Sequence, residues 1–251
     1  AVATVVWRWW HRCRRQSVAR AAYHEAPVPS RWRAVLRRRV PAYARLPEAV
    51  RERLQKQMKT FLAEKTFTAC GGLTAVDDAM AVAIAGQACL LLAGRDGTDC
   101  FPTVASVLVY PDFFYSRVRT FHPESGAEFV HTEARVGEAS SMGSVVLSWR
   151  EVLQSNALAG NGRNLVIHEF AHHVRPSGAA LLAGRDAGLR RLRAAPDDDA
   201  VLDGYGAENA DEFWAVSVEA FFEDAVRLRE AHPAWYRALA DFFGLDPAEW
   251  V

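Results

Sequence analysis

Cysteine is scarce in this sequence, and no two of Cys13, Cys70, Cys89 and Cys100 form a C-x-x-C pair. That excludes a disulfide framework and a thiolate zinc knuckle, and a reducing, cytoplasmic compartment is expected. Long apolar runs are also missing. None reaches the roughly 18 residues of a membrane-spanning helix, so no membrane span is expected. Net charge is absent, with 30 Lys plus Arg against 30 Asp plus Glu. That argues against a globally basic protein that binds nucleic acid directly. There is no internal repeat and no low-complexity linker, which excludes solenoids and tethered arrays. What remains is a chain of 251 residues, 50% hydrophobic and 24% charged. Those values fit a globular protein with a sizeable core and exclude a disordered or collagen-like chain.

The balanced charge is unevenly placed. Residues 1–60 carry 15 Lys or Arg and only Glu25, Glu48 and Glu52, while the rest carries 15 basic and 27 acidic residues. Two faces of one fold, each facing solvent or the other, account for this asymmetry. A basic patch for a membrane surface or an acidic partner is the alternative. The first residues are apolar and then basic, the reverse of a secretory signal. Trp7, Trp9 and Trp10 form an aromatic cluster there that could touch a membrane surface.

The coarse pattern is helices, a small sheet, then helices, which is the α+β class. Pro47 is expected to open a helix in which Val50, Leu54, Met58, Phe61 and Leu62 form one apolar stripe. A short strand at 66–70 ends at Gly71-Gly72. Asp77-Asp78 then precede a nearly all-apolar, buried helix over 79–92. Strands are expected at 104–110, 128–131 and 144–149. Helices are expected from Asn161 as N-cap to about Val174, and over 179–193, 211–228 and 233–243. We read residues 1–251 as a single domain, with 1–65 as a basic helical part that packs as a possible subdomain. The strand at 144–149 is either an ordinary interior strand or an edge that pairs with an extended peptide.

The chemistry sits in His168-Glu169-Phe170-Ala171-His172, an H-E-x-x-H. On a helix, residues four apart share a face, so two imidazoles can bind one zinc ion. Glu169 is then turned toward the open coordination position, where a carboxylate acts as general base. Leu165, Val166, Ile167 and Phe170 would bury the helix. His173 points about 100° away and reads as a packed or exposed histidine. A third ligand is needed, but beyond His173 no histidine follows until His232. Carboxylates cluster instead between Tyr205 and Glu219. Glu212 and Glu219 are seven apart on a face that also carries Phe213, Val216 and Ala220. A carboxylate among apolar residues wants a partner, and a metal supplies one. Glu212 is the leading candidate ligand. The competing reading makes it the N3 residue of a capping box with Asn209 as N-cap. Glu219 reads as a supporting partner of the ligands, an ion pair or a solvated residue.

Beyond this pentapeptide, the chain carries several further markers. They are Val40-Pro41-Ala42-Tyr43-Ala44-Arg45-Leu46-Pro47, Phe61-Leu62-Ala63-Glu64-Lys65, Cys70-Gly71-Gly72-Leu73 and Gln87-Ala88-Cys89-Leu90-Leu91-Leu92. They continue with Val107-Leu108-Val109-Tyr110-Pro111, Val145-Val146-Leu147-Ser148-Trp149 and the stretch 205–223. In combination they resemble the Mlc titration factor A family of bacterial zinc peptidases along nearly the whole chain. The resemblance implies a glutamate-zincin whose catalytic domain is similar to that of the anthrax lethal factor peptidase. It implies one Zn2+ held by His168, His172 and Glu212, with Glu169 as general base and Tyr205 as oxyanion donor. It also implies aminopeptidase-like cleavage of peptides or small aminoacyl substrates, and binding of a transcriptional repressor. Two departures stand out. Only 40 residues separate His172 from Glu212, and Val216 stands where some glutamate-zincins carry an acid that orients the ligands. The group that orients these histidines is therefore not evident from spacing. The expected function is zinc-dependent peptide hydrolysis. The rival is a regulatory protein that sequesters a repressor of sugar uptake.

Overall fold

A computed structural model describes residues 26–95, 99–122, 127–140, 143–157, 162–196 and 198–250. The aromatic and basic segment read at the start of the chain lies outside the described residues.

The N-terminal helices form because their apolar residues fall on one stripe. In α1 (Ser30–Arg39) Trp32 and Leu36 are buried, and in α2 (Glu48–Glu64) Val50, Leu54, Met58 and Phe61 are buried. Pro47 is the N-cap of α2 rather than its first helical residue. Helix α3 (Asp78–Ala88) is capped by Asp77, whose side chain accepts from Met80 N–H at 2.7 Å. It is buried on nearly all sides, as its composition implies, but it stops at Ala88, and Cys89–Leu92 tighten into a 3-10 turn. Gly86 explains how closely α1 approaches it. A Cβ there would lie 2.5 Å from Leu36 Cδ2 and 2.9 Å from Val40 Cγ2.

The main sheet has strand order β1-β2-β6-β5, with β1 (Thr66–Ala69), β2 (Ser106–Tyr110), β6 (Ser144–Ser148) and β5 (Gly137–Ser140). The first three run parallel, and β5 runs antiparallel to β6. Register pairs Val107 with Val145 and Val109 with Leu147, and all four are buried. The segment 144–149 is thus an interior strand. The edge strands are β1 and β5, and the sequence pattern did not single out β5. Strands β3 (Phe114–His122) and β4 (Ala127–Arg135) form a separate antiparallel hairpin, longer than the strand expected at 128–131. The fold is therefore α+β, mostly helical with a small mixed sheet.

After the sheet the chain forms α4 (Trp149–Ala157), α5 (Leu165–Ala171), α6 (Ala179–Ala194), α7 (Ala210–Glu223), α8 (Ala225–Ala231) and α9 (Pro233–Phe243). The helix expected over 211–228 is broken at Asp224, whose backbone leaves helical space at φ −133°, ψ 45°. One hydrophobic cluster runs from Val28 to Trp250. Within it Phe61, Phe101 and Phe170 pack edge to face, with ring centroids 4.9–6.1 Å apart.

Candidate metal centre

Helix α5 is short and starts later than expected. Asn164, not Asn161, is its N-cap, accepting from Ile167 N–H at 3.1 Å. Asn161 lies outside the described residues. Gly162 at φ 78° turns the chain before the helix begins. The last turn tightens: His172 is the C-cap, and His173 and Val174 donate to Phe170 and Ala171 carbonyls three residues back. Trp214 of α7 donates its indole N–H to the Ala171 carbonyl at 3.0 Å. That bond gives the Ala171 carbonyl a second donor beside Val174 N–H and ties α5 to α7.

Helix α7 brings Glu212 over this face. The Asn209 half of the expected capping box forms, but the Glu212 carboxylate turns to the histidines rather than back to the cap. Asn209 caps α7 by accepting from Asp211 and Glu212 N–H, while the Glu212 carboxylate reaches the histidines. Glu212 Oε2 lies 3.1 Å from His168 Nε2 and 3.7 Å from His172 Nε2. Among the described residues His168, His172 and Glu212 form the one cluster whose ligand atoms all fall within 4.8 Å of each other.

Glu219 supplies the orienting group. Its Oε1 lies 2.6 Å from His168 Nδ1, and its Oε2 accepts from the Asn164 backbone N–H at 2.6 Å. Asn164 in turn donates its side-chain amide to Glu223 Oε1 at 2.8 Å. Glu219 is only 7% exposed, so the solvated alternative for it does not hold. The carboxylate fixes the His168 tautomer and ring plane, presenting Nε2 to the cleft.

The charge states follow from this packing. Burial would lower the His168 pKa, but its bonds to Glu212 and Glu219 outweigh that and push it up to about 10. Burial and the charged His168 ring hold His172 below its ordinary value. For Glu212, burial acts upward, yet the two histidines outweigh it and hold the carboxyl below the usual range. Burial, reinforced by Glu212, Glu219 and Glu138, raises Glu169 to about 8 against the opposing pull of His168. A buried site with three carboxylates attracts positive charge. Two imidazole nitrogens and a carboxylate oxygen converging from one side match the donor set of catalytic zinc. A divalent cation held by these residues would supply positive charge in place of the His168 proton. The residues fit a metal ion.

Glu169 is 6% exposed and lies against Gly137 at the start of β5. A Cβ on Gly137 would come 2.1 Å from Glu169 Oε1, so the strand must be bare there. Tyr205 sits in a 3-10 turn, Gly204–Ala207, held by Asp203, which accepts from Tyr205 N–H at 2.9 Å. Its ring is 53% exposed and its centroid is 6.1 Å from that of His168. Burial of the hydroxyl, with Glu212, Glu208 and Glu169 nearby, pushes its pKa up to about 12. His173 is packed, its Nδ1 3.1 Å from Thr103 Oγ1. His168, Glu169, His172, His173, Tyr205 and Glu212 line a cleft of about 1350 Å³, with Arg95, Arg135, Glu138 and Arg175 on its walls. Phe101 turns the chain into this wall at φ 49°, a strained conformation for an aromatic residue. Its carbonyl accepts from Lys65 Nζ at 2.9 Å and its ring packs on Phe170.

The family model described as glucose-regulated metallo-peptidase M90 matches residues 7–177 and 185–244. The chain belongs to the glucose-regulated metallo-peptidase family. This M90 chain is similar to the uncharacterized protein slr2042 of Synechocystis sp., with 31% identity over 241 residues, covering 89% of this chain and 86% of the relative. It is also similar to proteins named Mlc titration factor A. The one from Pectobacterium atrosepticum is 30% identical, with 86% of each chain covered. The one from Cronobacter sakazakii is 29% identical, with 88% of each covered.

Proposed function

We propose that this M90 chain is a zinc-dependent peptidase acting on peptides and small aminoacyl substrates in an aminopeptidase-like manner. The observation that carries the reading is the convergence of His168, His172 and Glu212 beside a buried Glu169. The three converging residues would hold the ion. Zinc there supplies a Lewis acid that polarises a peptide carbonyl and makes water acidic enough to deprotonate near neutral pH. Glu169 accepts the proton of the attacking water and returns it to the leaving amine. Its carboxyl is raised toward the working range by burial, and the added positive charge of a bound cation draws it back down. Tyr205 stays protonated and donates to the carbonyl oxygen as negative charge develops. The open edge of β5, with Gly137, Glu138 and Ala139 on the cleft wall, suits an extended substrate backbone.

Glu169→Gln tests this reading. The variant is expected to bind zinc as the parent does and to lose roughly 10²–10⁴-fold in kcat. Parent-like turnover of an aminoacyl chromogenic amide by the variant would refute Glu169 as the base.

A second reading rests on the relatives named Mlc titration factor A. In it the chain captures a transcriptional repressor in the cytoplasm, with hydrolysis secondary. No helix among the described residues is long and apolar enough to cross a membrane. Undiminished repressor capture by Glu169→Gln, with no dependence on turnover, is the outcome that favours this reading.

A further inference from the structure

The walls of the cleft carry four arginines, and their pairing divides them. Arg135 is bonded to Glu138 at 3.4 Å, and Arg185 makes two bonds to Asp186 at 2.9 and 3.0 Å. Arg95 and Arg175 form no ion pair with any described residue, although Asp99 lines the same cavity. Arg95 is half-buried. Its guanidinium lies over the Phe242 ring at 4.3 Å from the centroid. Phe242 packs edge to face on Trp214 at 5.3 Å, and Trp214 is bonded to the Ala171 carbonyl beside His172. The stack therefore ties Arg95 to the C-terminal end of the metal helix. Arg175 stands three residues past His172 at the same end. His173, which lines the same cleft two residues before Arg175, has a buried Nε2 with no described partner.

A cation withdrawn from water without a counter-ion is costly, and burial lowers the Arg95 pKa, with no carboxylate among the described residues to offset it. An aromatic ring covers one face of the guanidinium but satisfies none of its in-plane N–H donors. Those donors form a fork that matches a carboxylate, which a lysine in the same place would not.

We infer that Arg95 and Arg175 form an anion subsite in the cleft that selects substrates bearing a carboxylate next to the scissile bond, either an acidic side chain or the chain's own C-terminus. The inference rests on the peptidase reading for its substrate, but the subsite itself is a binding property. Arg95 positions the carboxylate by its fork, held in plane by Phe242. Arg175, on the exposed rim, adds attraction that salt screens.

The test uses the zinc-loaded full chain and matched internally quenched peptides. One pair differs by Glu against Gln beside the cleaved bond, and the other by a free against an amidated C-terminus. The carboxylate member of at least one pair is expected to be favoured about 10- to 100-fold in kcat/KM, the range for a charge-assisted hydrogen bond. The pair that shows it identifies the source of the carboxylate. Arg95→Gln should bring the ratio close to one, Arg95→Lys should restore part of it, and Arg175→Gln should lower it with a weaker salt dependence. The same pairs are titrated calorimetrically against Glu169→Gln alone and combined with Arg95→Gln. Discriminating binding that Arg95→Gln abolishes, in a chain that cleaves nothing, would uphold the subsite while the peptidase reading fails. Equal binding of acid and neutral peptides, or a preference that survives both arginine substitutions, overturns the inference. Thermal unfolding of each variant checks that it is folded. Arg175, being exposed, supplies a variant free of packing loss.

Discussion

Glu219 is the residue on which the proposed metal centre most depends without being one of its proposed ligands. Its two oxygens accept from His168 Nδ1 and from Asn164 N–H, both at 2.6 Å. Glu219→Ala leaves both donors without a partner in a buried place, since Asn164 is 1% exposed. An unsatisfied buried donor costs about 1–3 kcal/mol, so the pair costs roughly 2–6 kcal/mol, toward the lower end where water enters the vacated space. A chain of this size loses about 2–4 °C per kcal/mol, so the metal-free variant should melt roughly 4–24 °C below the parent. Loss of the orienting bond should also weaken zinc binding about 10- to 100-fold. At fixed saturating zinc, that removes a further 1.4–2.7 kcal/mol or so of metal-linked stabilisation. Glu219→Gln retains one acceptor oxygen and should fall between the two. Calorimetric melting with and without zinc, together with competition against a chromophoric chelator, separates the two effects. Parent-like zinc affinity in Glu219→Ala would refute the claim that this carboxylate orients His168, whatever the melting temperature.

Two further outcomes follow from packing elsewhere. Gly137→Ala places a Cβ 2.1 Å from Glu169 Oε1 and 2.6 Å from Leu165 Cδ1, so the carboxylate must move. A displacement of about 1 Å should cost on the order of 10²-fold in kcat with zinc content unchanged, and a parent-like kcat would show that the base tolerates it. Asp199 anchors the loop before Tyr205, accepting from Leu202 and Val201 N–H at 3.0 and 3.1 Å and pairing with His232 at 3.0 Å. Burial acts upward on its carboxyl, but the Leu202, His232 and Val201 donors outweigh it and hold the pKa below the ordinary value. Because the folded value is depressed, its stabilisation is complete above the unfolded pKa of about 4 and is lost as pH falls through the folded value. Asp199→Ala should therefore cost roughly 1–3 kcal/mol at pH 7, with the gap narrowing in acid. Urea midpoints at pH 7 and at pH 3 check this, and an equal gap at both would count against it.

Periodicity made the buried faces of α2 and α3 legible, and both lie in the core. Boundaries were less legible, because caps compete locally. Asn161 and Asn164 are both good caps in isolation, and the turn at Gly162 decides for the second. Strands β3 and β5 were missed because one is rich in arginine and polar residues and the other is four small or charged residues in a row. Their hydrogen-bonding partners define them, and their composition does not. Residue spacing brought His168, Glu169, His172 and Glu212 forward, since those relations are helical or rest on chemistry that a lone carboxylate needs. Spacing could put Glu219 on the Glu212 face but could not name its partners, which lie 51 and 55 residues away on α5 and at its cap.

The same distinction explains the vacant acidic position at Val216. On α7, the residue four after Glu212 lies one turn along, while the residue seven after lies two turns along on the same face. Which of them meets His168 Nδ1 depends on where α5 crosses α7. Trp214 fixes that crossing through its bond to Ala171 at the far end of α5. With that end pinned, the start of α5 lies against the third turn of α7, and Glu219 meets both the helix cap and His168. One carboxylate thereby couples the N-terminus of the metal helix to its first histidine. An acid at position 216 would not be needed, and the apolar valine can pack instead at 4% exposure.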